Sequence, residues 1–128
     1  MDQRIRDKIK SELGKAEEYL KAAELLHRHG FFTPSVLSSY YSACHSAVAA
    51  FLTSGNNPPK EHFSGFTANL GRFSSKLDPA IERLMQARKE WGVNTSVEYA
   101  ENDALLRMHQ ARDFFLEVKD FLRRLVKN

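Results

Sequence analysis

From Ile5 onward, apolar residues return at every third or fourth position, at Ile9, Leu13, Ala16, Leu20, Ala23 and Leu26, with lysine, glutamate and arginine between them. That period lines one face of a helix, so the stretch is expected to form an amphipathic helix of several turns, ended by Gly30. Thr33-Pro34 then offers a cap and a first-turn proline for a second helix through SVLSSYYSACHSAVAAFLTS, which Gly55 and the following NNPP segment should close. This second segment carries almost no charge, and alanine and serine stand where other helices place lysine and glutamate. It should be the central, most enclosed element.

Beyond it, Phe63, Phe66, Leu70 and Phe73 suggest a short helical segment in EHFSGFTANLGRFSS, with Gly65 and Gly71 weakening the pattern. Asp78-Pro79 is a good helix start and Gly92 a stop. After the loop GVNTSVEYAEN, Asn102 can cap a long final helix whose Leu105, Met108, Phe115, Val118, Leu122 and Leu125 line a core face. There is no strand signal, repeat or low-complexity segment. The expected fold is all-α, an up-and-down bundle of four to five helices in which residues 1–128 form a single domain.

Arg88 interrupts this pattern. Ile81, Leu84, Met85 and Trp91 make one apolar stripe, and Arg88 falls inside it. Burying an unpaired guanidinium costs several kcal/mol even after relaxation, so Arg88 needs an anionic partner or a wet opening. One solution is an internal salt bridge, for example with Glu17, Glu18 or Glu98. The other is a bidentate grip on a phosphate, for which a planar fork of five donors is well suited.

Composition narrows the classes. The chain is 42% hydrophobic and 27% charged, ordinary for a soluble domain, and no apolar run is long enough for a bilayer. The N-terminus has no apolar segment of the signal-peptide kind, so no membrane association and a cytoplasmic location are expected. The lone Cys44 leaves no disulfide and no cysteine-cluster metal site, and reads as a small buried hydrophobe. A net charge of +3 permits contact with phosphate without demanding it.

The usual catalytic fingerprints are missing: there is no P-loop, dinucleotide-binding glycine pattern, paired-histidine zinc helix or Gly-x-Ser-x-Gly elbow. Of the five histidines, His27 and His29 precede a helix stop, where positive charge suits the helix end, and His109 fits a partly exposed surface position. His45 sits one turn beyond Tyr41 on the enclosed helix, so its ring must find a hydrogen-bond partner or face a cleft. His62 follows NNPPKE, where capping and phosphate-facing roles compete.

The arrangement SYYSACHSAVAAFLTSG, then PPKEHFSGF, then an arginine-bearing helix and a long amphipathic C-terminal helix, resembles the HEPN superfamily, and in particular its small stand-alone members. The resemblance spans about Leu13 to Leu122. It is most specific at Ser39-Tyr40-Tyr41 and at the Lys60, His62 and Gly65 cluster. It implies a helical bundle, often a homodimer, found with a nucleotidyltransferase or antitoxin partner in prokaryotic toxin–antitoxin and defence systems. It also implies RNA or a nucleotide as ligand, and neither cofactor nor metal. Active members are endoribonucleases in which an arginine, followed after four to six residues by a histidine, forms a composite cleft across the dimer. Arg88 matches that arginine, but the histidine has no counterpart, since Val93, Asn94 and Thr95 occupy the interval. Asn94 can hydrogen-bond a phosphate or ribose yet cannot shuttle a proton. Many stand-alone relatives carry an Asp-Tyr pair after the arginine; here Gly92-Val93 stands there, with Glu98-Tyr99 further on.

Three functions follow. The first is a module binding RNA or nucleotide phosphate around Arg88, with Tyr41, Lys60 and Tyr99 as further contacts. The second is an active metal-independent endoribonuclease in which His45 or His62 replaces the missing histidine beside Arg88 and Asn94. The third is a non-catalytic dimerisation or docking protein using aromatics such as Phe31-Phe32 and Phe114-Phe115-Phe121.

Overall fold

A computed structural model describes residues 2–53 and 98–127, and all of its regular structure there is helical. Helix α1 spans Gln3–Arg28, α2 spans Phe32–Leu52 and α3 spans Glu101–Lys127. The two further helices expected between α2 and α3 lie outside the described residues.

Each helix forms where the periodicity places it, but the caps differ from expectation. Asp2 caps α1 by accepting a hydrogen bond from the Arg4 amide at 2.9 Å. Thr33 does not cap α2. The helix begins earlier, at Phe32, with Phe31 as a cap that makes no side-chain bond, and the Ser35 amide donates to the Phe31 carbonyl at 3.0 Å. Pro34 is thereby the third helical residue, still within the turn whose N–H groups have no intrahelical acceptor, so its missing donor costs nothing. Asn102 likewise lies inside the first turn of α3, because the Ala104 amide already bonds to the Ala100 carbonyl at 3.0 Å. Glu101 and Asp103 set negative charge against the positive end of that helix.

The joint between α1 and α2 is tightly specified. Gly30 has φ of +82°, the Phe31 amide donates to the Leu26 carbonyl at 2.9 Å, and the Gly30 amide donates to the His27 carbonyl at 3.0 Å. These are the paired bonds of a Schellman motif, which needs a left-handed residue after the helix and so favours glycine. The chain reverses within a few residues, and α1 and α2 pack antiparallel.

Helix α2 is the enclosed element: twelve of its 21 residues are buried, against four of the 26 in α1. Four serines, Ser35, Ser39, Ser42 and Ser46, recur along one buried stripe of α2, and two of them reach α1. Small side chains let two helix backbones approach until hydroxyls reach carbonyls across the interface. Ser35 Oγ donates to the Ala23 carbonyl and Ser42 Oγ to the Ala16 carbonyl, each at 2.8 Å. Ser39 and Ser46 are equally buried, and their hydroxyls make no hydrogen bond among the described residues.

The core joins Ile9 of α1, Tyr40, Ala43, Cys44, Ala47 and Phe51 of α2, and Phe114, Val118 and Leu122 of α3. Ala16 and Leu20 meet Ala111 and Phe115 beside it. Burial of a side chain the size of Val118 or Phe115 contributes about 1.5–3 kcal/mol each. Cys44 is buried and in no disulfide, the small core residue that the lone cysteine was read as. Phe114 and Phe115 are core residues, and Phe121 is half-buried, so among the aromatics proposed for docking only Phe31 is freely exposed.

At the end of the bundle where α1 finishes, His27 Nε2 donates to the Glu101 carbonyl at 3.2 Å, and the Tyr99 amide donates to Thr33 Oγ at 3.2 Å. These bonds hold the start of α3 beside the start of α2, so α2 and α3 run in the same direction and α1 runs against both. The Arg112–Glu24 ion pair ties α3 to α1 along the way. No described helix is long and apolar enough to cross a membrane.

Candidate functional site

Three positions on α1, Glu12, Lys15 and Tyr19, follow one another at helical spacing, and Tyr41 and His45 do the same on α2. Antiparallel packing brings the two sets together. His45 Nδ1 lies 2.5 Å from Glu12 Oε2, and each side chain keeps 21% of its surface exposed. A carboxylate can only accept, so the pair places a proton on Nδ1 and leaves Nε2 as the nitrogen that can act elsewhere. The second Glu12 oxygen stands 3.9 Å from Lys15 Nζ.

Rings complete the arrangement. Tyr19 stacks on His45 with centroids 5.5 Å apart and planes 7° from parallel, and it meets Tyr41 at 5.5 Å and 35°. Tyr40 turns its edge to Tyr41 at 5.7 Å, linking the group to the core. Both Tyr19 and Tyr41 remain more than a third exposed, at 36% and 37%. Beside them opens a groove of about 590 Å³ lined by Lys15, Glu18, Tyr19, Ala22 and His45.

Of the residues singled out from sequence, the structure therefore brings His45 and Tyr41 together. His45 meets both of its expected fates, with a hydrogen-bond partner and a place in a cleft. Tyr99 is not part of this groove; it sits at the end of the bundle where α1 terminates. Burial raises the pKa of its hydroxyl above the ordinary phenol value, with Arg107 opposing the rise and Asp103 adding to it. Arg88, Asn94, His62 and Lys60 lie outside the described residues. Glu17, one carboxylate considered for Arg88, stands 3.9 Å from Lys21 Nζ. His109 is exposed, as anticipated.

Sequence reasoning missed Glu12, Lys15 and Tyr19, which read as ordinary residues of a solvated face, and considered Glu18 only as a partner for Arg88. The signal that could have found them is the tight turn at Gly30. In an antiparallel pair joined so closely, residues equally far from the turn face one another, which sets Ala23 against Ser35, Ala16 against Ser42 and Glu12 against His45. No group of histidine, cysteine and carboxylate side chains suited to a metal ion occurs among the described residues.

Comparison with known proteins agrees with this architecture. The family model "HEPN domain" matches residues 9–102, which include most of α1, all of α2 and the first two residues of α3. Across 128 positions, the chain is 27% identical to a Methanocaldococcus jannaschii protein named "Putative toxin MJ0605", with 95% of this chain and 94% of the relative covered.

Proposed function

Because this chain belongs to the HEPN domain family, we propose that it is a toxin-like component of a two-protein system and acts by binding RNA or nucleotide phosphate. The observation that carries this reading is the oriented imidazole of His45 on an open face of the bundle. An imidazole on the most enclosed helix of the bundle is held by Glu12 at an opening reached by solvent, with Lys15 and exposed tyrosine rings around it. Structural histidines of a core are usually closed off; this one is oriented and accessible, which is how a ligand-binding or proton-transferring group is built. Arg88, on the apolar stripe of the region matched by the family, supplies the grip on phosphate. Similarity to a protein named as a toxin supports a cognate antitoxin or nucleotidyltransferase as partner, and a homodimer suits the family's composite cleft.

The test is a titration of fluorescent single-stranded RNA with the purified protein at several salt concentrations. Binding should weaken steeply with salt, and Arg88→Ala should weaken it further and flatten the salt dependence by roughly one phosphate contact. Salt-insensitive binding, or an Arg88→Ala protein that binds as the parent does, would remove Arg88 from the account.

The Glu12–His45 pair also favours a second reading, that of a metal-independent endoribonuclease. Nε2 would take the proton of a ribose 2′-hydroxyl as that oxygen attacks the adjacent phosphorus, with Arg88 steadying the charge that develops and the next ribose oxygen leaving. His45 answers to the role of the missing histidine because its ring is oriented by a carboxylate. RNA should then be cut in the presence of a chelator, and His45→Ala should lower the rate by about a hundredfold or more while leaving RNA affinity largely intact. Chelator-resistant cleavage that survives His45→Ala would sink this assignment.

A further inference from the structure

Among the described residues, the groove lining presents one ammonium, Lys15, and one carboxylate, Glu18, whose charges offset each other, while Glu12 is turned to His45. A polyanion tracked by its backbone is held by a run of cations, and these described residues do not form one. What the groove does offer is ring surface. Tyr41, Tyr19 and His45 form a continuous aromatic array across two helices, tied to the core through Tyr40 and still exposed at Tyr19 and Tyr41. Exposed rings held rigidly in sequence are the means by which proteins seat unpaired bases.

We propose that this groove is a base-binding subsite, in which an unpaired nucleobase of single-stranded RNA lies against the Tyr19 ring with its edge between Lys15 and Glu18. The proposal rests on the RNA-binding reading above but assigns to this groove the base rather than the phosphate. The volume of about 590 Å³ falls within the range of small-molecule sites and has room for a base with its ribose. Glu18 can accept from adjacent N–H donors and Lys15 can donate to a ring carbonyl. Guanine, which carries two such donors beside a carbonyl oxygen, is the best match, and a base without a donor edge fits worse. The Glu12 contact fixes the His45 ring beneath Tyr19, so the platform is formed before the base arrives and little ordering is left to binding.

The experiment compares, on the full chain, a short single-stranded oligoribonucleotide rich in guanine with an abasic ribose-phosphate chain of the same length. The base-bearing strand should bind more tightly. Tyr19→Leu should reduce that preference by about tenfold, Tyr19→Phe should retain it, and Glu18→Gln should diminish the advantage of guanine over uracil. Because Tyr19 is a surface residue, these variants should leave the helical signal in circular dichroism intact. As a second measurement, guanosine monophosphate should shift the imidazole resonances of His45 through its ring current. Equal binding of the two strands by the parent protein overturns the proposal. If Tyr19→Leu binds as the parent does while Arg88→Ala fails to bind, the subsite is wrong and the phosphate reading stands; if the parent binds neither strand, both fall. A change in oligomeric mass on Tyr19→Leu would assign the rings to a subunit contact instead and also overturn it.

Discussion

The buried serines of α2 show how a single atom decides between two outcomes at otherwise similar positions. Ser42 gives its hydroxyl proton to the Ala16 carbonyl, whereas the Ser39 hydroxyl is buried without a bond among the described residues. Removing a made hydrogen bond costs about 0.5–1.5 kcal/mol, while removing an unsatisfied buried hydroxyl relieves a desolvation penalty. Ser42→Ala is therefore expected to lower the midpoint of urea unfolding, and Ser39→Ala to leave it unchanged or raise it. Equal losses in both would show that volume, not hydrogen bonding, governs this stripe. At this scale the sequence was partly legible. His45 announced itself as a polar ring on an enclosed helix, but Glu12 looked like any exposed glutamate, since nothing within α1 distinguishes it from Glu17 or Glu18. The pairing exists only between helices.

Element boundaries were well marked by Gly30 and poorly marked by the polar residues after it. Glycine at the end of α1 was readable because the left-handed backbone there disfavours a side chain. Thr33 and Asn102 looked like caps for the same good local reasons that often make them so, yet both were drawn inside their helices. Thr33 instead gives its oxygen to the Tyr99 amide, a tertiary use that local propensity does not encode. The Gly30 argument yields its own expectation. A Cβ at this position would meet nothing within 4 Å, so Gly30→Ala suffers from backbone conformation alone. It should cost about 1 kcal/mol, read as a lower unfolding midpoint with an unchanged denaturant slope. A neutral result would mean that the turn relaxes into another geometry.

For the whole molecule, hydrophobic periodicity was enough to reveal an all-helical chain with α2 at its centre, because burial of apolar faces dominates how such helices assemble. It could not reveal that α2 and α3 run in the same direction, which is set by contacts near Tyr99 and His27 far apart in sequence. A chain of net charge +3 carries only a mild pull toward RNA. The salt dependence expected above should accordingly come from a few local cations such as Arg88 rather than from a general field, and neutralising exposed lysines far from the site should alter the encounter rate more than the affinity. The turn at Gly30 bears on all of this, since it works as a ruler for the two helices that follow from it. A residue inserted between Gly30 and Phe32 would slide and rotate one helix against the other, carrying His45 off its carboxylate and breaking the tyrosine array in the same motion. The connector thus has no freedom to lengthen, although it touches none of the chemistry it aligns.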